Sequence, residues 1–335
     1  MSEYISISGG ALLEGTGVEF DLFLRAAAGE VSNYVLYCRE GEELSPERRE
    51  DLLGKHADRL CIATGDIDKY IEYQEKNLNT ILSDDNKSTR EKSGVVYQVA
   101  TKVVTDLLEN PKSGRNMERI SEWVTQTVSH IVDDDDTFSG LLGVSSKDYQ
   151  IYTHSVNTSV LGLLFGKHLS FKEDELARIG SGMLLHDIGK LAIPLNVVNK
   201  PGHLTGDEFS AMKKHPKAGL EILEHRSSVN VLSLKIVIQH HENYDGSGYP
   251  YGIKGEDIHL FARIARIIDA YDAMTSKRSY AEAMRPFAVL AEMKNKMPGC
   301  FDEKLLREFI YFLGPKDQRK KRRNGDTVYS FPSVK

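Results

Sequence analysis

The stretch ARIGSGMLLHDIGKLAIP, Ala177 to Pro194, sets an imidazole and a carboxylate side by side at His186 and Asp187, in a segment made apolar by Met183, Leu184, Leu185 and Ile188. Taking both groups out of water is costly unless each is ligated or paired. Lys190 follows one helical turn after His186, which lets its ammonium lie beside the same site, and Pro194 ends the helix.

Outward from this stretch the same conflict recurs. HHENYDGSGYP, His240 to Pro250, puts two adjacent histidines and Glu242 at the end of the apolar run VLSLKIVIQ, just before a glycine-rich turn. Each imidazole nitrogen there needs a partner. HLFARIARIIDAYDAMTSKRSY, His259 to Tyr280, is apolar nearly all round and reads as a buried helix, yet it carries Asp269 and Asp272 one turn apart on one face. Such a pair calls for a cation. His154 lies in THSVNTSVLGLLFGKHL, where Val156, Val160, Leu163 and Leu164 can face a core; alone, it reads as a core histidine. His215 precedes a proline in MKKHPKAGLEIL, after KPGHLTGDEF, where Thr205 or Asp207 can cap a helix.

Together His154, His186, Asp187, His215, His240, His241 and Asp269 form a set of nitrogen and oxygen ligands with no sulfur. They are too many for one tetrahedral zinc, whereas two octahedral ions sharing a bridging carboxylate would use them. Helical bundles are a common scaffold for such centres. His203, His225 and His259 have polar or charged neighbours and read as surface residues, and Glu256 and Asp257 as turn or cap residues.

At 335 residues, 40% hydrophobic and 27% charged, the chain has the composition of a soluble globular protein with room for two domains. Its formal net charge of -6 gives no general attraction to a nucleic acid polymer or an anionic membrane, so an anionic ligand needs a local site. Cys38, Cys61 and Cys300 are far apart and read as reduced thiols. The start, MSEYISISGG, has neither a basic nor an apolar run, and no segment reads as a membrane span, so a cytoplasmic location is expected.

Residues 1–84 read as a small α/β module, serving regulation or docking. FDLFLR (Phe20 to Arg25), NYVLYCRE (Asn33 to Glu40) and RLCIAT (Arg59 to Thr64) are the strands; Ser45-Pro46 opens one helix, and Gly65 to Leu82 forms another. Residues 85–136 are linker helices, with amphipathic spacing over Val95 to Leu108 and Met117 to Val132 and an acidic loop at Asp133 to Asp136. Residues 137–315 carry the chemistry, and 316–335 form a tail whose RKKRR run reads as solvated. The fold class expected is α+β overall, the α/β module preceding an all-α bundle.

HD at His186-Asp187, HHE at His240 to Glu242 and GYP at Gly248 to Pro250, with KPGHLT, KKHP, ARIARIIDAYDAMTSKRSY and CFDEKLL, resemble the HD-GYP family. The resemblance runs from roughly Ser146 to Leu313. It implies an HD-type helical bundle and a bacterial metal-dependent phosphodiesterase acting on the signalling dinucleotide cyclic di-GMP. It implies further that His154, His186, Asp187 and Asp269 hold one ion and that Asp187, His215, His240 and His241 hold the other. A hydroxide between two divalent ions, iron or manganese, would then attack phosphorus, with Asp187 and Lys190 as catalytic residues. Lys190, Tyr249, Asp272 and Arg278 would meet the substrate, and Glu242 would organise the shell around the histidines.

Two positions depart from the family pattern. Gln150 stands four residues before His154, where some members have a glutamate serving a third metal; its neutral amide predicts two ions and linear pGpG as the main product. Ala281 stands where a basic residue is common, which removes one phosphate contact. An active enzyme is favoured because no ligand of a two-metal site is lost. The competing readings are a non-catalytic cyclic-dinucleotide receptor, which a lost ligand would have favoured, and an HD phosphohydrolase for another nucleotide, against which the GYP segment argues. Position alone suggests that the N-terminal module meets a protein partner or mediates a homodimer.

Overall fold

The computed structural model describes residues 3–13, 17–26, 33–56, 59–133, 140–141, 150–277 and 283–314. Arg278, Ala281, residues 134–136 of the acidic run and the tail 316–335 lie outside the described residues. The chain divides into two compact units, Met1–Lys102 with Ser139–Val144, and Val103–Phe138 with Ser145–Lys335.

In the first unit four strands, β1 (Tyr4–Ser6), β2 (Leu22–Ala26), β3 (Asn33–Cys38) and β4 (Leu60–Ala63), form an antiparallel sheet in the order β1-β4-β2-β3. β1 was not foreseen: three residues give too short an alternation to read as a strand. Helix α1 (Pro46–Lys55) starts where expected, with the Ser45 hydroxyl accepting from Arg48 N and Pro46 at its first turn. The single helix expected over Gly65 to Leu82 is two, α2 (Ile67–Lys76) and α3 (Leu78–Ser83), separated at Asn77. Asn77 turns its side-chain amide back onto the Tyr73 carbonyl at 2.8 Å, competing with the helical ladder. Phe20 meets Tyr70 and Tyr73 edge-on at 5.6 and 5.9 Å, and the Tyr73 hydroxyl accepts from Leu13 N. These rings fill the core beside Leu22, Leu60 and Ile62. Cys38 and Cys61 are buried free thiols and Cys300 is half-buried.

Helix α4 (Thr89–Glu109) and then α5 (Gly114–Asp133) precede the bundle. The second unit is helical: α6 (Ile151–His168), α7 (Glu173–Leu185), the short α8 (Leu195–Val198) and α9 (Gly206–Met212), α10 (His215–Leu223), α11 (Val231–Gln239), α12 (Leu260–Thr275), α13 (Pro286–Lys296) and α14 (Glu303–Leu313). The α+β class expected from the sequence is what the chain adopts. Every residue of α6 from Thr153 to Gly166 is buried, so this helix is the axis of the bundle rather than an amphipathic face. α7 and α12 pack directly against it. Ser159 Oγ donates to Gly180 O, and Ser233 Oγ to Arg178 O, tying α6 and α11 to α7 through bonds that would otherwise be orphaned in the core. Among the described residues no helix is long and apolar enough to cross a membrane.

Candidate metal centre

α7 does not run on to Pro194 as the spacing predicts. It ends at Leu185, His186 is its C-cap, and Ile188–Ala192 form a 3-10 turn. The cause lies at Gly189, where an added Cβ would stand 1.9 Å from His215 O and 2.4 Å from Gly219 N. The turn lies directly on the backbone of α10, and that approach brings Asp187 to His215. Lys190 reaches Asp187, with Nζ 2.5 Å from Oδ2.

Four histidines are oriented by the bonds at their Nδ1 atoms. His186 Nδ1 lies 2.6 Å from Met183 O, His215 Nδ1 2.8 Å from Met212 O and His240 Nδ1 3.0 Å from Val237 O. A carbonyl only accepts, so each of these nitrogens carries the proton and each Nε2 presents a lone pair. His154 Nδ1 is held by Asp272 Oδ2 at 2.7 Å. Asp272 Oδ1 accepts from Asn157 Nδ2 at 3.0 Å, and the carboxylate is buried. Asp272 thus sits behind His154 with both oxygens used.

The Nε2 atoms converge in two groups. His154 and His186 Nε2 are 3.2 Å apart, and His215 and His240 Nε2 are 3.1 Å apart. Asp187 stands between the pairs: Oδ2 lies 3.5 Å from His186 and 3.7 Å from His154, whereas Oδ1 lies 3.4 Å from His215 and 3.9 Å from His240. Asp269 touches both groups as well, with Oδ1 3.2 Å from His154 Nε2 and Oδ2 3.8 Å from His241 Nδ1. Ligand atoms of Asp187, His215, His240 and His241, and separately of His154, His186 and Asp269, lie within 4.8 Å of one another.

This arrangement fits cations. Burial lowers the pKa of His186 and His240, and brings His215 down to about 4, so the rings are neutral donors of lone pairs. Two facing lone pairs cannot bond each other. Burial opposes ionisation of Asp187, but the Lys190 ammonium beside it, the strongest lowering influence, helps hold the carboxyl well below its usual range. Among the described residues Asp187 Oδ1 is buried without a hydrogen-bond partner, an anionic acceptor aimed into the His215 group.

Gly248 positions the tyrosine of GYP. A Cβ there would lie 2.2 Å from Asn243 N and 2.5 Å from His241 O, so the turn folds onto the histidine backbone. Tyr249 N donates to His241 O, and the Tyr249 ring stacks on His241 at 4.7 Å and 29°. Burial and then Asp269 push the Tyr249 phenol well above its ordinary value, so it stays protonated. Asp245 Oδ1 accepts from Ser247 N and Oγ, closing the turn.

Two further expectations are corrected. Glu242 does not organise the histidines: its Oε1 accepts from Tyr251 N, and it holds the chain that follows Pro250. His259 is a half-buried N-cap of α12, its Nδ1 accepting from Phe261 N, while His203 and His225 are exposed. Gln150 is the exposed N-cap residue of α6. Asn157 and Asn243, the latter holding Arg266 Nε at 2.9 Å, were not singled out from sequence, although Asn157 falls one turn after His154 on the same face.

A family model described as an HD domain matches residues 143–305. A cyclic di-GMP phosphodiesterase of Pseudomonas aeruginosa is 30% identical over 217 residues, covering 64% of this chain and 52% of that protein. The cyclic di-GMP phosphodiesterase response regulator RpfG of Xanthomonas campestris is 44% identical over 141 residues, 42% of this chain and 37% of its own. A 3'3'-cGAMP-specific phosphodiesterase of Vibrio cholerae is 38% identical over 136 residues, 40% of this chain and 26% of its own. The chain thus spans about half or less of these curated relatives. In fold it is similar to a HDG"Y"P protein from Bdellovibrio bacteriovorus, with a TM-score of 0.65 at 20% identity over 91% of this chain and 98% of the other.

Proposed function

We propose that this chain, whose residues 143–305 match the HD domain model, is a metal-dependent phosphodiesterase that hydrolyses cyclic di-GMP, mainly to linear pGpG. The observation that carries this reading is the pair of buried histidine and carboxylate groups meeting at Asp187, one oxygen toward each. His154, His186 and Asp269 with one Asp187 oxygen would hold one divalent ion; His215, His240 and His241 with the other oxygen would hold the second. Mixed nitrogen and oxygen donors suit iron or manganese. Two such ions, when bound, polarise phosphoryl oxygens and make hydroxide available from water near neutral pH.

The chain's own side chains supply the rest. The depressed pKa of Asp187 keeps it an anion and an acceptor only. Lys190, beside it, would neutralise charge on a phosphoryl oxygen or give a proton to the leaving oxygen. Tyr249, kept protonated, would donate to a phosphate oxygen, and Arg278 would clamp one. The local cations answer the net charge of -6, which would otherwise repel a dinucleotide. Gln150, an exposed amide in place of a carboxylate, supports two ions and a halt at pGpG. We take the first unit to regulate or dock, through a protein partner or a second copy.

The test is chromatography of products after incubating cyclic di-GMP or 3'3'-cGAMP with protein purified without oxygen and loaded with iron or manganese. Metal-dependent pGpG from cyclic di-GMP supports the reading. Faster turnover of 3'3'-cGAMP would reassign the substrate, and binding without turnover would make the chain a receptor.

A further inference from the structure

Beside the His241 group lies an exposed edge of aromatic rings and ammonium groups that ligand binding by the histidines does not use. Phe209 on α9 leaves 45% of its surface exposed, so folding gains little from its ring. The ring stands 6.3 Å from Tyr249 at 84°, while Tyr249 stacks on His241. Lys213 Nζ is 4.6 Å from the centre of the Phe209 ring and 5.8 Å from that of Tyr249. Farther along the same segment Lys217 Nζ is 5.2 Å from the ring of Tyr251, which is 55% exposed. Lys213 and Lys217 are themselves exposed.

A ligand that answers both features has a flat π system and an anion linked by a short spacer, which is the chemistry of a nucleotide. Resting on the phosphodiesterase reading, we propose that Phe209 and Lys213 form a nucleobase and phosphate subsite that grips the dinucleotide beyond the phosphate at the histidines. Tyr251 and Lys217 continue the edge. Phe209 offers a stacking surface, and Lys213, a flexible point charge, turns from the ring to the second phosphate. The subsite acts on binding and leaves the reacting atoms untouched. A Phe209 that merely packed against Tyr249 would affect the histidine group instead.

The test is isothermal titration of the full chain, loaded with manganese, with cyclic di-GMP and separately with inorganic phosphate, alongside KM and kcat. Phe209→Leu keeps the apolar bulk and removes the π face; it should raise Kd and KM for the dinucleotide about tenfold, with phosphate affinity, metal content and kcat unchanged. Phe209→Trp should restore binding, and Lys213→Met should weaken it and flatten its salt dependence. Phe209→Leu binding the dinucleotide as tightly as the wild type would overturn the proposal, as would an equal loss of phosphate affinity. Normal turnover by that variant sinks the subsite alone, whereas a wild type that binds phosphate but no cyclic dinucleotide sinks the subsite and the phosphodiesterase reading together.

Discussion

His154 and His186 bring their Nε2 atoms to 3.2 Å, each ring having its Nδ1 held from behind, by Asp272 in one case and by the Met183 carbonyl in the other. Neither nitrogen can serve the other while both rings are neutral. A shared cation would reconcile the contact with the burial, as it would for His215 and His240.

The Asp272 bond makes His154 a better donor and fixes its ring. Asp272→Asn is predicted to weaken metal binding at the His154 group by about 10- to 100-fold and to leave the His215 group nearly unaffected. Manganese titration resolving two affinities checks this; two unchanged affinities would refute it.

Gly189 has no room for a methyl group beside His215 O. Gly189→Ala is predicted to cost about 1–3 kcal/mol or more, because backbone rather than a flexible side chain must move, and to separate Asp187 from His215. Thermal unfolding with metal analysis would register both effects.

His259 caps α12 through Nδ1 as an acceptor, which a protonated ring cannot do. Burial, then Lys235 and Arg263, bring its pKa from 6.5 to about 4. The folded state therefore binds fewer protons than the unfolded chain between these values, so the contribution of His259 is full above 6.5 and declines as pH falls toward about 4. Wild-type Tm should drop through this window more than that of His259→Asn, which keeps a cap that does not titrate. Parallel curves would count against the cap.

Removing metal should lower the stability of the bundle, because ions bound only by the folded state add about 2.7 kcal/mol at a hundredfold excess over Kd. Tm measured across free manganese concentrations should rise continuously. A Tm indifferent to chelator would argue that no ion is held.

The residues that converge here were legible because burial and polarity conflict openly in the sequence: His186-Asp187 and Asp269 stand among leucines and isoleucines. The bundle followed from the same apolar runs. The break after Leu185 was not legible, since it arises from the approach of Gly189 to α10, a contact between segments far apart in sequence. For the same reason the contact of Asp272 was not legible: helical spacing sets it near Asp269, but only the packing of α12 on α6 shows that it faces the back of His154. Phe209 gave no signal, because an exposed aromatic ring in an amphipathic segment is indistinguishable from a core residue until its neighbours are known.

The measurement that tests the Asp187-bridged centre most directly is the metal content of protein purified without oxygen, for the wild type and Asp187→Ala. Two ions per chain in the wild type and loss of both affinities in the variant are predicted, since each carboxylate oxygen faces a different histidine pair. One or three ions per chain, or an Asp187→Ala variant that still holds two, would contradict the account.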